Sequence, residues 1–157
     1  MYNKEGLFDR LSRLIEGAQA LELPIIWTEQ NPEGLGPTIP EVSGLMQGRA
    51  ISKFSFSCCG EQAFLDALSR VGRRQVLVSG IETHICIYQT SVDLLARGHE
   101  VHVAADAVSS RTRLDRDFAL ETIRSAGGVV TTVETALFEL LRTAGTEEFK
   151  KILRIVK

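Results

Sequence analysis

The chain has 157 residues, with 18 basic and 20 acidic side chains and a net charge of −2, and we expect it to form a single domain over residues 1–157. Because neither charge sign dominates, the composition argues against nucleic acid or an anionic membrane as a partner. No apolar run approaches the roughly 18 residues of a membrane-spanning helix, and the opening MYNKE does not resemble a signal peptide. The three cysteines, two of them adjacent, favour reduced thiols and a cytoplasmic location over a disulfide framework.

The N-terminal part of the sequence predicts a helix, a short strand and a long loop. Apolar residues at helical spacing predict an amphipathic helix over residues 4–22, which Pro24 ends. Ile25–Thr28 follows as a short buried strand. Residues 30–48 hold three of the four prolines and predict a long loop, with one helical turn near Glu41–Met46. Loops of this length in compact domains are usually functional.

From residue 61 onward, predicted helices and strands alternate. The helices are expected at residues 61–71, Thr83–Ala96, Asp115–Ser125, Glu134–Thr143 and Glu147–Ile155, and the strands at Gln75–Ser79, Glu100–Ala105 and Val129–Val133. This alternation indicates an α/β fold with a doubly wound, mostly parallel sheet and helices on both faces, as in Rossmann-like proteins. The chain opens on a helix where such a fold normally opens on a strand, so we expect the first strand to be absent from this chain.

A cysteine lies just past the end of the best-defined predicted strand. The stretch GIETHIC, residues 80–86, directly follows the apolar run QVLVS, and ligands of open α/β sheets bind at the carboxyl ends of the strands. If Thr83 is the N-cap, Cys86 is the third residue of a helix, where free amides and the positive end of the helix dipole stabilise a thiolate or an oxyanion. The alternative is a small buried apolar cysteine without a chemical role.

Two further residues carry a possible chemical role. Lys53 lies in the apolar and hydroxyl-rich stretch ISKFSFS and is the only lysine between Lys4 and Lys150. It can hold an anionic neighbour or favour a nearby thiolate, although a solvated surface lysine fits the pattern as well. Asp106 follows the strand that begins at Glu100, and its carboxylate is expected to cap the turn it opens rather than to orient a site.

The remaining candidates for metal binding do not form a recognisable set. Cys58 and Cys59 are adjacent, which does not match the usual ligand spacings, so we expect them to pack in the interior. No metal-binding constellation is expected among the histidines either, at positions His84, His99 and His102.

Longer stretches resemble a known family. GIETHICIYQTSVDLLARGHEVHVAADAVSSRT resembles the signature of the isochorismatase-like cysteine hydrolases, and PIIWTEQNPEGLGPT and ISKFSFSCCG resemble its isochorismatase domain-containing branch. Members of this family hydrolyse amides and related bonds with a cysteine nucleophile, a lysine and an aspartate. The resemblance places the nucleophile on Cys86 and the lysine on Lys53. It implies a small-molecule substrate, no metal and no cofactor, and a homodimer or larger homo-oligomer.

The resemblance also implies the local geometry of the site. It places a non-proline cis peptide at Ile81–Glu82, and it makes the backbone amides of Glu82 and Cys86 the oxyanion hole. We name Glu29, Phe56 and Ile81 as candidate substrate-binding residues.

One part of the family pattern finds no match. The family's aspartate lies at the end of an opening strand, which would fall between Ile25–Thr28 and Gln75–Ser79. A stable fold then requires that these two strands close on each other, that a partner chain donates a strand, or that upstream residues supply it, and we favour the last.

The sequence supports three functional hypotheses. The first is a cysteine hydrolase of an amide, ester or related C–N bond. The second is a catalytically incomplete relative that acts as a scaffold or a small-molecule binding protein, because the triad aspartate is missing. Ether hydrolysis of the isochorismate type needs the aspartate but not the thiol, and it fits least well.

Overall fold

The computed structural model describes residues 1–157 as eight α-helices and five β-strands. The helices are α1 (Lys4–Ala20), α2 (Pro32–Leu35), α3 (Pro40–Ser43), α4 (Gln62–Val71), α5 (Tyr88–Ala96), α6 (Arg113–Ser125), α7 (Val133–Leu141) and α8 (Glu147–Val156). The strands are β1 (Thr28–Gln30), β2 (Ile51–Lys53), β3 (Gln75–Ile81), β4 (Glu100–Ser109) and β5 (Val129–Thr131). None of the helices combines the length and the apolar character that crossing a membrane requires.

All strand pairs are parallel, which confirms the predicted α/β class. They form two sheets, one of order β1-β2 and one of order β3-β4-β5, where the sequence predicts a single sheet. In the smaller sheet Gln30 pairs with Lys53, and in the larger sheet Gln75 pairs with Glu100. No ladder joins either strand of the smaller sheet to β3. The first two strands therefore do not close on β3, and the separation falls where the resemblance places a further strand.

Strand β4 contributes side chains to two hydrophobic cores, one on each face of the sheet. Val101 and Val103 belong to one core, which α4, α5 and α6 cover with Phe64, Leu68, Leu94, Leu120 and Ile123. Ala104 and Ala107 belong to the other core, which α1, α7 and α8 cover with Leu14, Val133, Leu137 and Ile152. Helices thus lie on both faces of the sheet, as the valine-rich strands predict.

Two strand predictions need correction. The strand expected at Ile25–Thr28 begins at Thr28 instead, because only residues 28–30 have a parallel partner in the unpredicted strand β2. Strand β4 continues to Ser109 rather than ending at Ala105, because its second half pairs with β3 after a shift in register. Asp106 therefore lies within β4 and not at a turn. Its Oδ1 accepts a hydrogen bond of 2.9 Å from the backbone N–H of Val133, so its capping role is exerted at the start of α7.

The predicted loop over residues 30–48 contains two short helices rather than one turn. Each has a proline in its first turn, where the missing N–H costs nothing because it would have no helical partner. Hydrogen bonds hold the loop at its middle and near its end. Gln19 of α1 donates to the Leu45 carbonyl at 2.6 Å, and the Thr38 N–H donates to Glu29 Oε1 at 2.7 Å.

Helices α1 and α7 approach closely at Gly17. A Cβ at this position would lie 2.6 Å from Leu137 Cδ2, and because Leu137 is fully buried, its side chain or the helices must shift to admit the Cβ. Gly17→Ala should therefore lower the free energy of unfolding, because an overpacking cost of roughly 1–3 kcal/mol outweighs a helix-propensity gain of about 1 kcal/mol. Urea unfolding measures the change, with the exposed Glu16→Ala in the same helix as the control. Unchanged or increased stability of Gly17→Ala would contradict this packing.

Candidate active site

The segment after β3 forms a wide turn that presents Cys86. The Ile81–Glu82 peptide bond is cis, which confirms the prediction. Residues Thr83–Ile87 form a π-helical turn that leads into α5, and turns of this kind occur frequently at functional sites. The Cys86 side chain is partly exposed on this turn.

The assignment of Thr83 as the N-cap is wrong. The carbonyl of Glu82 accepts hydrogen bonds from the N–H groups of Ile85 and Ile87, each at 3.2 Å, so the turn begins one residue earlier. The Thr83 hydroxyl is buried and has no hydrogen-bond partner. Cys86 is consequently the fourth residue of the π-helical turn rather than the third residue of an α-helix. It still lies at the start of the helical segment, near the positive end of its dipole.

Lys53 lies at the carboxyl end of β2 and points at this turn. Its side chain is only 3% exposed. The ammonium Nζ lies 3.7 Å from Cys86 Sγ, 2.5 Å from Gln30 Oε1, 3.0 Å from the Ser55 carbonyl and 2.9 Å from the Phe56 carbonyl. The structure thus brings together two residues that are 33 positions apart in the sequence, which the resemblance assigns to one site.

The charge balance around Lys53 is unusual for a buried ammonium. None of the ion pairs in the chain includes Lys53, so no carboxylate oxygen lies within 4 Å of its Nζ. Buried charges are normally paired, because their desolvation is costly. Three of the four contacting atoms are neutral oxygens, and Cys86 Sγ is the remaining contact. The sulfur is the fourth atom in contact with the ammonium.

Sequence reasoning missed Gln30, which makes the shortest contact to Lys53. The two residues form the last pair of the β1–β2 ladder, and side chains of paired residues project from the same face of a sheet. Gln30 could have been assigned to the site only from the register of the two short parallel strands β1 and β2. That register was not available because β2 was not predicted as a strand.

The Glu82 carboxylate contacts Arg111 and His84 rather than Lys53. Glu82 Oε2 lies 3.2 Å from Arg111 Nε and 3.6 Å from His84 Nε2. His84 Nδ1 in turn lies 3.0 Å from Ser110 Oγ. These contacts fix the Glu82 side chain just before the turn, so any role of Glu82 at Cys86 falls to its backbone amide.

The expected substrate-binding residues differ in their surroundings. Phe56 and Ile81 are each 52% exposed, and Phe54, two residues before Phe56, is 74% exposed. Phe56 adjoins Lys53 through its carbonyl, and Ile81 precedes the turn that carries Cys86. Glu29 uses one carboxylate oxygen to hold Thr38 of the 31–50 loop. Glu29 thus stabilises the loop, whereas the exposed side chains of Phe56 and Ile81 are available to a ligand.

The adjacent cysteines pack as the sequence indicates. Cys59 is 6% exposed, and burial raises the pKa of its thiol, which the positive charge of Arg97 offsets only in part. The Cys58 backbone N–H donates to Thr90 Oγ1 at 3.0 Å. Just before it, Ser57 Oγ donates to Asp93 Oδ2 at 2.6 Å. These contacts hold the segment after Lys53 against α5.

Comparison with known proteins agrees with the resemblance in the sequence. The isochorismatase domain matches residues 1–135. Isochorismatase domain-containing protein 2 of Xenopus laevis is 42% identical over 145 residues, which cover 92% of this chain and 70% of that protein.

Solved structures share the fold. The MAR1 ribonuclease of Caenorhabditis elegans superimposes with a TM-score of 0.91 at 36% identity, over 98% of this chain and 80% of that one. The YcaC gene product of Escherichia coli, an octameric hydrolase of unknown specificity, superimposes with a TM-score of 0.90 at 20% identity, over 98% of this chain and 78% of that one. The matched domain and the Xenopus relative show that the chain belongs to the isochorismatase family.

Proposed function

We propose that this chain is a cysteine hydrolase that cleaves an amide, ester or related C–N bond of a small molecule through the Cys86 thiolate. The observation that carries the proposal is the 3.7 Å contact between Cys86 Sγ and the buried Lys53 ammonium. Family membership supports a hydrolase in general terms. The positive charge of Lys53 lies beside the sulfur, where it stabilises the negative charge that a sulfur nucleophile carries in the reaction.

The chemistry proceeds in two steps. The Cys86 sulfur donates an electron pair to the substrate carbonyl carbon, and the oxyanion that forms is held by the backbone amides of Glu82 and Cys86. Collapse of this intermediate breaks the C–N or C–O bond and leaves a thioester on Cys86. Water then attacks the thioester, releases the carboxylic acid and returns the thiol. No step requires a metal, an oxidant or a cofactor.

The leaving group decides how much acid catalysis the reaction needs. An amine leaving group must take up a proton, whereas an activated phenolate leaves as an anion. For an amine this proton comes from water, which adds a requirement that the phenolate does not have. We therefore expect activated esters to be cleaved faster than amides. We place this chemistry in the cytoplasm and in one domain, residues 1–157.

The alternative is a scaffold or small-molecule binding protein that retains the pocket without turnover. A second enzymatic candidate is RNA cleavage, which the name of the Caenorhabditis elegans relative suggests. Against it, the net charge of −2 lacks the basic excess that phosphate contacts require. Incubation with single-stranded RNA, with Cys86→Ser as the control, tests it: cleavage that depends on Cys86 would replace the small-molecule proposal.

The first prediction concerns turnover of p-nitrophenyl acetate. The protein should release a burst of nitrophenolate, because acylation of Cys86 precedes slower hydrolysis of the thioester. Cys86→Ser should lower the rate to the uncatalysed background, and Lys53→Met should lower it by about 100-fold, as loss of one preorganised donor does. Cys58→Ser is the matched control and should retain the burst. Absence of a burst in the unmodified protein would favour the scaffold.

The second prediction concerns the order in which the thiols react. Limiting iodoacetamide at neutral pH should label Cys86 first, because it alone contacts an ammonium group. Cys59 should label last, because it is buried and its raised pKa keeps it protonated. Peptide mass spectrometry measures the order. Labelling of Cys58 or Cys59 before Cys86 would contradict the assignment of the nucleophile.

The third prediction concerns assembly. Leu114 and Phe118, one turn apart on α6, are 71% and 66% exposed, and we propose that this apolar strip contacts a second copy of the chain. Light scattering should then give a mass that is a multiple of 17.3 kDa. Leu114→Glu combined with Phe118→Glu should reduce the mass to that of one chain. Leu35→Glu, at a site 73% exposed on α2, is the control and should leave it unchanged; a monomer before any substitution would refute the assembly.

A further inference from the structure

We propose that His84 and Ser110 are positioning residues, which together hold the backbone amide of Glu82 in place for the oxyanion that forms at Cys86. The inference rests on the proposed function, because it takes Cys86 as the nucleophile and the Glu82 amide as an oxyanion donor. It gives a role to two residues that neither the sequence pattern nor the resemblance assigns to the site.

Strand pairing stops just before the turn that carries Cys86. The last paired residues of β3 and β4 are Ile81 and Ser109. Glu82 and Ser110 come next in the two segments, and both lie outside the ladder. The next connection between the segments is made by side chains.

Ser110 fixes His84 through one hydroxyl group. Ser110 Oγ lies 3.0 Å from His84 Nδ1 and 3.4 Å from the His84 backbone nitrogen. A hydroxyl has one donor and two acceptor lone pairs, so it can accept from the backbone N–H and donate to Nδ1 at the same time. Ser110 is fully buried. A single buried oxygen thus holds both the main chain and the ring of His84.

The other ring nitrogen of His84 faces the Glu82 carboxylate. When Ser110 donates to Nδ1, the proton of the neutral imidazole is on Nε2. Nε2 lies 3.6 Å from Glu82 Oε2, which is longer than a hydrogen bond, so the contact acts as an electrostatic attraction. Arg111 Nε lies 3.2 Å from the same oxygen. Glu82 is therefore attracted from two sides by groups that the end of β4 holds.

The consequence for the reaction follows from how an oxyanion hole works. Its donors stabilise the developing charge because they are already in place when the charge forms. The ladder holds Ile81 on one side of Glu82, and Ser110 holds His84 on the other. Loss of the second attachment frees the Glu82 amide to move, and a misplacement of about 1 Å can cost about 100-fold in rate.

The test compares two reactions of Cys86. Acylation by p-nitrophenyl acetate forms an oxyanion, and its rate is the rate of the nitrophenolate burst. Alkylation by iodoacetamide forms none, because the sulfur displaces iodide from a saturated carbon. His84→Leu and Ser110→Ala should each lower the burst rate by about tenfold, less than the loss of a whole oxyanion donor, and should leave the alkylation rate nearly unchanged.

The matched control is His99→Leu, which makes the same substitution at the opposite end of β4. His99 Nδ1 lies 3.2 Å from the Arg74 carbonyl, so this variant also removes a contact between a ring and the main chain. It should change neither rate. A residue that only supports the fold would change both rates together, so equal losses in the two reactions would overturn the positioning role.

The remaining outcomes separate the possible failures. If the unmodified protein gives no burst, the proposed function fails and this inference with it. If the burst is present and a folded variant acylates at the unmodified rate, the role of that residue is overturned while the thioester mechanism stands. Should His84→Leu not fold by circular dichroism, Ser110→Ala decides, because it removes one oxygen atom and leaves the ring in place.

Discussion

The contact between the buried Lys53 ammonium and Cys86 is the constraint on which the site depends. Three backbone or side-chain oxygens accept hydrogen bonds from this ammonium, and they offset part of the cost of burying its charge. The same ammonium lies 3.7 Å from Cys86 Sγ. One buried side chain thus links the end of β2 to the turn that follows β3.

The fold supplies this contact by bringing the carboxyl edges of two separate sheets together. Lys53 ends β2 in one sheet, and the turn that carries Cys86 follows β3 in the other. No backbone ladder holds the sheets to each other. Side chains of both sheets pack on the same core, with Ile26 and Ile51 on one side and Val76 and Val78 on the other. This shared hydrophobic packing helps to place the lysine beside the thiol.

The sequence predicts the helices and the larger sheet well, because their apolar periodicity is strong and their ends are marked by glycine or threonine. It predicts the smaller sheet poorly. Strand β2 has only three residues, and its pairing with β1 depends on tertiary contacts that a local pattern does not contain. This is why Lys53 could be placed in the site only by resemblance and why Gln30 could not be placed at all. The start of the Cys86 turn was also missed, because a backbone carbonyl and not the Thr83 side chain begins it.

The central claim is that Cys86 carries the acyl group during turnover. The most direct measurement is to mix the protein with excess activated ester, stop the reaction in acid within the burst, and locate the acyl group by peptide mass spectrometry. We predict that the group is found on the peptide containing Cys86, and that it disappears as the ester is exhausted. An acyl group on Cys58, Cys59 or a lysine instead, or turnover without any acylated peptide, would contradict a thioester mechanism at this site.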